Sequence, residues 1–550
     1  MLYAILLCAM GPRGCAQPLI RGGPLTCSRT PPTNLCFMRR ASPQVSLLRL
    51  VTLFLALSLG VAGCSAGSTA YQVPPEVDQS SIVVATTSAP ASLDFTNTSG
   101  AAIPQALMSN VYEGLVRITS DGEVEPWLAT GWGISDDRLT YTFTLREGIR
   151  FSNGSPFTAE SAKFSIDYVQ TDWTNGLKAG MDVVERTQAL DDHTLEVTLS
   201  RPSNQWLWNM GTAIGAMMSP DGVDKLATDP VGTGPYTVTH WSPGRAIGFA
   251  ARADYWGPAP ANDAATIRYF SDATATTNAL QSGDVDLIWA MQAPEQLAVL
   301  DEYEVAVGTT QGELLLSMNN QRAPFDDVRV RQAVMFAIDR QAVIDTAMEG
   351  YGTDTGGVPV PPTDPWFEES DLYPHDPDQA RQLLTEAGAM GVEVTLSIPS
   401  LPYAQNASEI IYSQLREVGF DPVIESTEFP AVWLAQVMGQ KDYDMSLIAH
   451  VEPRDVPTLF SEGYYLGFSH APTQELLARA DQSDNEVELM RQAVDNIMEQ
   501  AAANTLMNMA NIVVMDPAIT GVDPNVVSGA LSLGSIGREP AGGQPSGGQP

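Results

Sequence analysis

After Cys64 the chain runs to residue 550 without another cysteine. Cys8, Cys15, Cys27, Cys36 and Cys64 are the whole complement, and all lie in the first 64 positions. The 487 residues from Cys64 onward therefore fold without disulfides among themselves or thiolate metal clips, and burial of apolar surface must hold them. That length exceeds the size at which one core stops growing, so at least two domains are expected.

The local pattern alternates strands with helices. "SIVVATT" is a short β-branched run suited to a buried first strand. "RLTYTFTL" alternates Leu139, Tyr141, Phe143 and Leu145 against polar residues, and ends before the turn Asn153-Gly154. "TAESAKFSIDYV" follows, with Thr158 placed as a helix N-cap. "HTLEVTLSRP", "VEVTLSIPS", "DPVIEST" and "YDMSLIAH" read as strands. "DDVRVRQAVMFAIDRQAVIDTAM" reads as a helix with Asp326 and Asp327 at its positive end, and "ASEIIYSQLREVG" as one closed by Gly419. "QELLARADQSDNEVELMRQAVDNIMEQAAA" reads as two helices. This order predicts an α/β architecture.

The front end has the layout of an export signal. Leu50 to Gly63 is an uncharged apolar stretch of 14 residues, short for a membrane span, preceded by Arg39, Arg40 and Arg49. Met38 is the expected true start, with residues 1–63 removed as a signal peptide. Val61-Ala62-Gly63-Cys64 resembles the bacterial lipobox, which implies a diacylglycerol on the Cys64 thiol. Two acyl chains suffice for stable anchoring where one does not. Residues 64–80 read as a tether, and the Gly/Pro-rich stretch 535–550 as a disordered tail.

Six arginines and no acid precede Cys64, so 29 less six leaves 23 basic against 65 acidic residues, a net charge of −42. That balance excludes nucleic acid as a partner and argues against adhesion to anionic lipid by charge. Five histidines show no zincin spacing, and no G-x-S-x-G elbow occurs. Gly232-Thr233-Gly234-Pro235 lacks the Gly-Lys-Ser/Thr ending of a phosphate loop and reads as a tight turn. Trp127, Trp132 and Tyr141 read as core aromatics. No catalytic residue, metal or cofactor is expected, although residues alone leave a glycosidase-like carboxylate pair or a passive adhesin open.

Five long segments occur in an order that carries a resemblance. They are "NVYEGLVRITSDGEVEPWLATGWGISDDRLTYTFTLREGIRFSNGSPFTAESAKFSIDYV", "VGTGPYTVTHWSPG", "RADYWG", "ATATTNALQSGDVDLI" and "MNNQRAPFDDVRVRQAVMFAIDR". The chain resembles the oligopeptide- and dipeptide-binding family 5 of extracytoplasmic solute-binding proteins, the capture subunits of ABC importers. The resemblance implies a type II periplasmic-binding-protein fold, two lobes with a hinge plus an additional domain. It places lobe I at 81–109, 231–307 and 510–534, the additional domain at 110–230 and lobe II at 308–509. It further implies a monomer outside the cytoplasmic membrane that delivers a small-molecule ligand to a permease and ATPase complex.

In peptide-binding relatives, a strand after a Tyr/Phe-Asp pair carries a small residue, Trp and then an Asp that holds the peptide α-ammonium. Counting from Tyr443-Asp444, the small residue is Ala449, the Trp position is His450 and the Asp position falls on Pro453. Glu452 or Asp455 then stands as the ammonium partner, and Arg454 as a carboxylate partner, for a di- or oligopeptide. Alternatively Arg454 and Asp455 pair with each other, or the site suits another solute, such as a nickel complex, a sugar or haem. Family position adds Ser88 and Ala89 after the first strand, Trp289, Asn319, and the aromatics Tyr464 and Tyr465 as pocket candidates.

Overall fold

The computed structural model describes residues 80–98 and 100–539. The signal segment, Met38, Cys64 and most of the tether lie outside the described residues, as does the tail from 540. No helix among the described residues is long and apolar enough to cross a membrane.

The chain opens with β1 (Ser81–Thr86) and then leaves the main sheet. β2 (Val116–Ile118) and β3 (Val124–Pro126) pair antiparallel. β4 (Ala129–Ile134), β5 (Thr140–Leu145), β6 (Val184–Asp191) and β7 (Thr194–Leu199) form an antiparallel sheet in the order β4-β5-β7-β6. Tyr141, Phe143 and Leu145 of β5 point inward, as the alternation requires. Helix α1 (Ala159–Asp172) starts at Thr158 through a capping box with Ser161. Helix α2 (Asn204–Asn209) follows β7.

The main sheet then resumes with β8 (Tyr236–Ser242), β9 (Ala246–Ala251), β10 (Ala264–Tyr269) and β11 (Leu287–Ile288). Two long strands, β12 (Glu304–Met318) and, at the far end of the chain, β17 (Ala503–Met515), run through its middle. Between them in sequence lie β13 (Gly352–Thr353), β14 (Glu393–Pro399), β15 (Asp421–Thr427) and β16 (Met445–His450). The order across the sheet is β15-β14-β16-β12-β17-β11-β1-β10-β9-β8, with β13 added on β17.

β12 and β17 serve both halves of this sheet. Glu304 to Thr309 pairs with Met515 to Ala510, beside β11; Glu313 to Met318 pairs with β16 and with the start of β17. Between Thr309 and Glu313 the ladder breaks register. The break is laced by side chains: Asn508 Nδ2 donates to the Thr310 and Gly312 carbonyls, and Thr310 Oγ1 donates to the Met509 carbonyl. Apolar burial divides at the same place. One core runs from Leu314 to Met507, and another gathers Ile82 to Trp289 with Val513 to Ile536. Two cores joined by two strands that lose register between them are the lobes and hinge of a type II binding-protein fold. The 110–230 region does not keep a core to itself; Trp173 packs edge-on against Phe95, with ring centroids 5.4 Å apart, inside the second of these cores.

Glu113 explains why several of the quoted segments occur together. It is buried, and its carboxylate accepts from Trp127 Nε1 at 2.8 Å, Tyr255 Oη at 2.7 Å, Trp256 Nε1 at 3.0 Å and Thr233 Oγ1 at 2.7 Å. "NVYEG", "EPW", "GTGP" and "RADYWG" thus meet at one acid. Gly232 is required there by close approach, since a Cβ would lie 1.9 Å from the Val111 carbonyl oxygen.

The structure departs from the sequence reading in two elements. The helix expected from Asp326 to Met348 is two helices, α3 (Val328–Ala337) and α4 (Arg340–Met348). Ile338 is extended, and Asp339 restarts the chain as an N-cap accepting from the Ala342 amide at 3.1 Å. Residues 535–539, expected within a disordered tail, are ordered. Gly537–Arg538 pairs with Ile519–Thr520, Asn262 Nδ2 donates to the Ile536 carbonyl, and Arg538 pairs with Asp286. Polar side chains reaching back from other segments, invisible in a Gly/Pro-rich composition, order them.

Helix α5 (Ala471–Ala480) and α6 (Glu486–Glu499) carry between them a turn that holds the 110–230 region against the core that runs from Leu314 to Met507. Asp481 Oδ1 accepts from Ser203 Oγ at 2.9 Å and from the Gln205 amide at 3.0 Å, while its other oxygen pairs with Arg201. Asn204 Nδ2 donates to the Ala480 and Ser483 carbonyls, and Arg138 pairs with Asp484 at 2.8 Å. Asp481→Ala is expected to lower stability by about 1–2 kcal/mol, because two part-buried donors lose their acceptor. A urea midpoint equal to that of the parent protein would refute this.

Candidate functional site

β16 ends at His450, directly opposite Glu313 of β12, on the second-lobe side of the register break. The loop Val451–Asp455 then turns sharply, with Arg454 at φ +52°, before a short helix from Val456. Pro453 and Pro457 limit how the backbone can continue, and the left-handed Arg454 reverses its direction. His450, Glu452, Arg454 and Asp455 are thereby gathered at the strand end.

The His450 ring is 3 % exposed. Its Nε2 shares a 2.9 Å hydrogen bond with Tyr465 Oη, and the two rings stack at 5.8 Å. Its Nδ1 lies 3.6 Å from Asp455 Oδ2, too long for a hydrogen bond. Ligand atoms of His450, Glu452 and Asp455 all fall within 4.8 Å of one another, a grouping able to hold a metal ion. Burial pushes the Asp455 carboxyl above the usual range, against the pull of His450.

Arg454 has a different setting from the one expected of it. Its guanidinium carbon sits 3.5 Å from the Trp208 ring centroid and 4.7 Å from that of Trp366. Its Nε lies 3.6 Å from Asp364 Oδ1, and its Nη2 reaches the Gly122 carbonyl at 3.4 Å. Burial pushes Asp364 up to about 7, with Arg454 opposing, and lowers the Arg454 pKa. Arg454, expected to take a ligand carboxylate, has two indole faces and Asp364 around it. It does not pair with Asp455, since Arg454 faces Asp364 and Asp455 faces His450.

Asn319, a pocket candidate by family position, is held by backbone groups. Its Nδ2 donates to the Lys441 and Tyr443 carbonyls, its amide donates to the Asp444 carbonyl, and its Oδ1 accepts from the Gln321 amide. An amide so committed pins the end of β12 to the start of β16 and has little left for a ligand. Trp289 is 3 % exposed and borders a separate cavity of about 90 Å³ with Ile118–Ser120 and the 523–536 segment. Ser88 is exposed in the loop after β1. Tyr464 packs edge-on against Tyr465, with centroids 5.2 Å apart, at the margin of the second-lobe core. The Ala449 amide, a backbone donor that an added peptide strand would use, already donates to Tyr403 Oη at 3.1 Å.

Sequence reasoning missed Glu313, Asp364, Trp208 and Trp366. Glu313 carried a usable signal, a single acid heading the apolar run "ELLLSM". The other three come from distant segments with nothing local to mark them.

With this geometry in place, comparisons with known proteins decide the family. A model of the bacterial extracellular solute-binding proteins, family 5, middle region, matches residues 123–468. The chain belongs to this family. The glutathione-binding protein GsiB of Escherichia coli K12 is 30 % identical over 422 residues, covering 71 % of this chain and 81 % of that one. GsiB of Salmonella typhimurium is 33 % identical over 329 residues, 58 % of this chain and 64 % of that one. Among solved structures, the periplasmic binding protein DppA of Helicobacter pylori with peptide STSA superposes with a TM-score of 0.69 at 24 % identity, covering 84 % of this chain and 98 % of that one. That likeness concerns the fold. As a family 5 solute-binding protein, the chain is a binding component of an ABC importer, and its relatives are binders, not enzymes.

Proposed function

We propose that this solute-binding protein captures small peptides of the glutathione kind outside the cell while tethered by a lipid on Cys64, and passes them to its permease. The observation that carries the reading is the 30 % identity with a glutathione-binding protein across 71 % of the chain. The half-buried carboxylates at the end of β16 support it, because an amino-acid-like ligand carries an ammonium that needs such partners. Capture would proceed by closure: solute bound by groups of both lobes favours the closed form by its differential affinity. The occupied Ala449 amide and Pro453 at the Asp position favour short ligands held by side chains over long peptides added as a strand.

Calorimetric titration with reduced glutathione, trialanine and a mixed di- to pentapeptide library tests the reading. Binding tighter than millimolar by at least one of them is expected, with a smaller radius of gyration on saturation; binding by none ends it. Cys64→Ser is expected to shift the protein from the membrane fraction to the medium or leave its signal uncleaved. Normal acylated protein in the membrane would end the lipid reading. A second reading, capture of a metal complex, is favoured by the His450, Glu452 and Asp455 grouping. Nickel(II), alone and with free histidine, titrated against chelator-treated protein, separates it from the first.

A further inference from the structure

Glu313 is 3 % exposed, and its Oε1 has no hydrogen-bond partner among the described residues. It is the first ladder residue after the register break, so it stands where the two long strands pass from one lobe to the other. Across the sheet on one side is His450, and on the other Asn508, whose amide is occupied by the Thr310 and Gly312 carbonyls and by Thr309 Oγ1. Neither neighbour neutralises an acid.

The charges around Glu313 make the imbalance larger. Asp455 and Asp364 both act on it electrostatically as like charges. From the β16 loop come His450, Glu452, Arg454 and Asp455; from the loop before Trp366 comes Asp364; from α6, Glu486 faces Arg454. Arg454 is the guanidinium in this group, and it is held between Trp208 and Trp366 beside Asp364. Several carboxylates thus gather at this strand end, and among the described residues the guanidinium beside them, Arg454, is already committed. A buried acid of this kind is stable when a cation arrives with the ligand.

We infer that Glu313 is the anchor for a primary ammonium group of the captured solute, with Asp455 beside it, standing in for the acid that peptide-binding relatives would place at Pro453. The inference rests on the reading that the protein captures an amine-bearing solute, and it names the residue that reads the amine. An ammonium offers three N–H donors in a compact charge, which suits two carboxylates approaching from different strands. An uncharged solute would leave Glu313 as it is.

A proton accompanies the step. Burial, then the charges of Asp455 and Asp364, holds the Glu313 carboxyl well above its usual range in the free protein. A cation placed against it favours the carboxylate, so the acid ionises as the ammonium binds and its proton passes to solvent. Affinity for an amine-bearing solute therefore rises with pH for as long as Glu313 keeps its proton in the free protein.

The test uses the full mature protein, with glutathione and trialanine as probes. Calorimetry at neutral pH in phosphate and in Tris counts protons, and about one is expected to leave per amine-bearing solute bound. N-acetylation of either probe is expected to weaken binding at least about tenfold. Glu313→Gln, close to isosteric, is expected to abolish both the proton release and the discrimination. A solute-independent arm compares thermal midpoints in methylammonium and tetramethylammonium chloride at equal ionic strength; the smaller ion should stabilise the parent protein and not Glu313→Gln. If glutathione or trialanine binds without proton release and without regard to acetylation, the Glu313 assignment falls while peptide capture stands. If no peptide binds but methylammonium stabilises only the parent, the anchor stands and the peptide reading falls. If neither occurs, or if nickel(II) alone releases the proton, the assignment is overturned.

Discussion

Glu113→Ala is expected to destabilise the fold by about 4 kcal/mol or more, the largest effect of any single side-chain removal considered for the core that gathers Ile82 to Trp289. Four donors, Trp127 Nε1, Thr233 Oγ1, Tyr255 Oη and Trp256 Nε1, converge on this carboxylate within 3.0 Å. Each donor left unsatisfied in a buried setting costs about 1–3 kcal/mol, and bonds to a charged acceptor are stronger than neutral ones. Glu113→Gln is the informative control. It keeps the shape but replaces one acceptor oxygen with an NH2 that meets one indole N–H head-on, while the hydroxyl on that side must turn to accept. An intermediate loss is expected, read as an ordered series of urea midpoints: parent, then Gln, then Ala. Equal midpoints for parent and Gln would show that the charge of Glu113 contributes nothing.

Arg454→Ala is expected to cost about 3–5 kcal/mol, as removal of one partner from a buried ion pair does. The guanidinium also fills the space between Trp208 and Trp366, and a desolvated cation on an indole contributes about 2 kcal/mol. Asp364, left without Arg454, would remain protonated at neutral pH. The pair itself is not the stabilising element, because burial raises Asp364 and lowers Arg454 together. Hence the double variant Arg454→Met with Asp364→Leu is expected to recover most of the loss, since apolar replacement of buried ion pairs is often neutral.

The pH dependence has a definite sign. Asp364 has a folded pKa of about 7, above the ordinary value of 3.8. The native state therefore holds a proton that the unfolded state has lost between these values. Its contribution to stability is fully present below about pH 4 and declines as pH rises toward 7. Relative to Asp364→Asn, the parent protein should lose stability across that window and run parallel above it. A difference curve flat from pH 4 to 7 would show that Asp364 is already ionised throughout.

Much of the fold was legible because its signals are local. Alternating Tyr141, Phe143 and Leu145 gave a strand, Thr158 and Gly419 marked helix ends, and apolar burial over a cysteine-free length required more than one core. The site was legible only as a place. Tyr443-Asp444 and the "HVEPRD" loop located it, because that stretch is contiguous in the chain. What each side chain does there depended on partners from elsewhere: Trp208 and Gly122 hold Arg454, Asp364 neutralises it, and Tyr465 holds His450. The setting of Asn319 was hidden for the same reason, since its amide is taken by carbonyls more than 120 residues away. The sequence by itself determined that the chain is a multi-core α/β protein with the family 5 order of segments. Only the tertiary structure decided that Glu313 Oε1 finds no hydrogen-bond partner among the described residues, while Arg454 is enclosed by Trp208, Trp366 and Asp364. Hydrogen-bond and charge satisfaction are properties of neighbours in space, and β12 and β16 become neighbours only when the sheet is built.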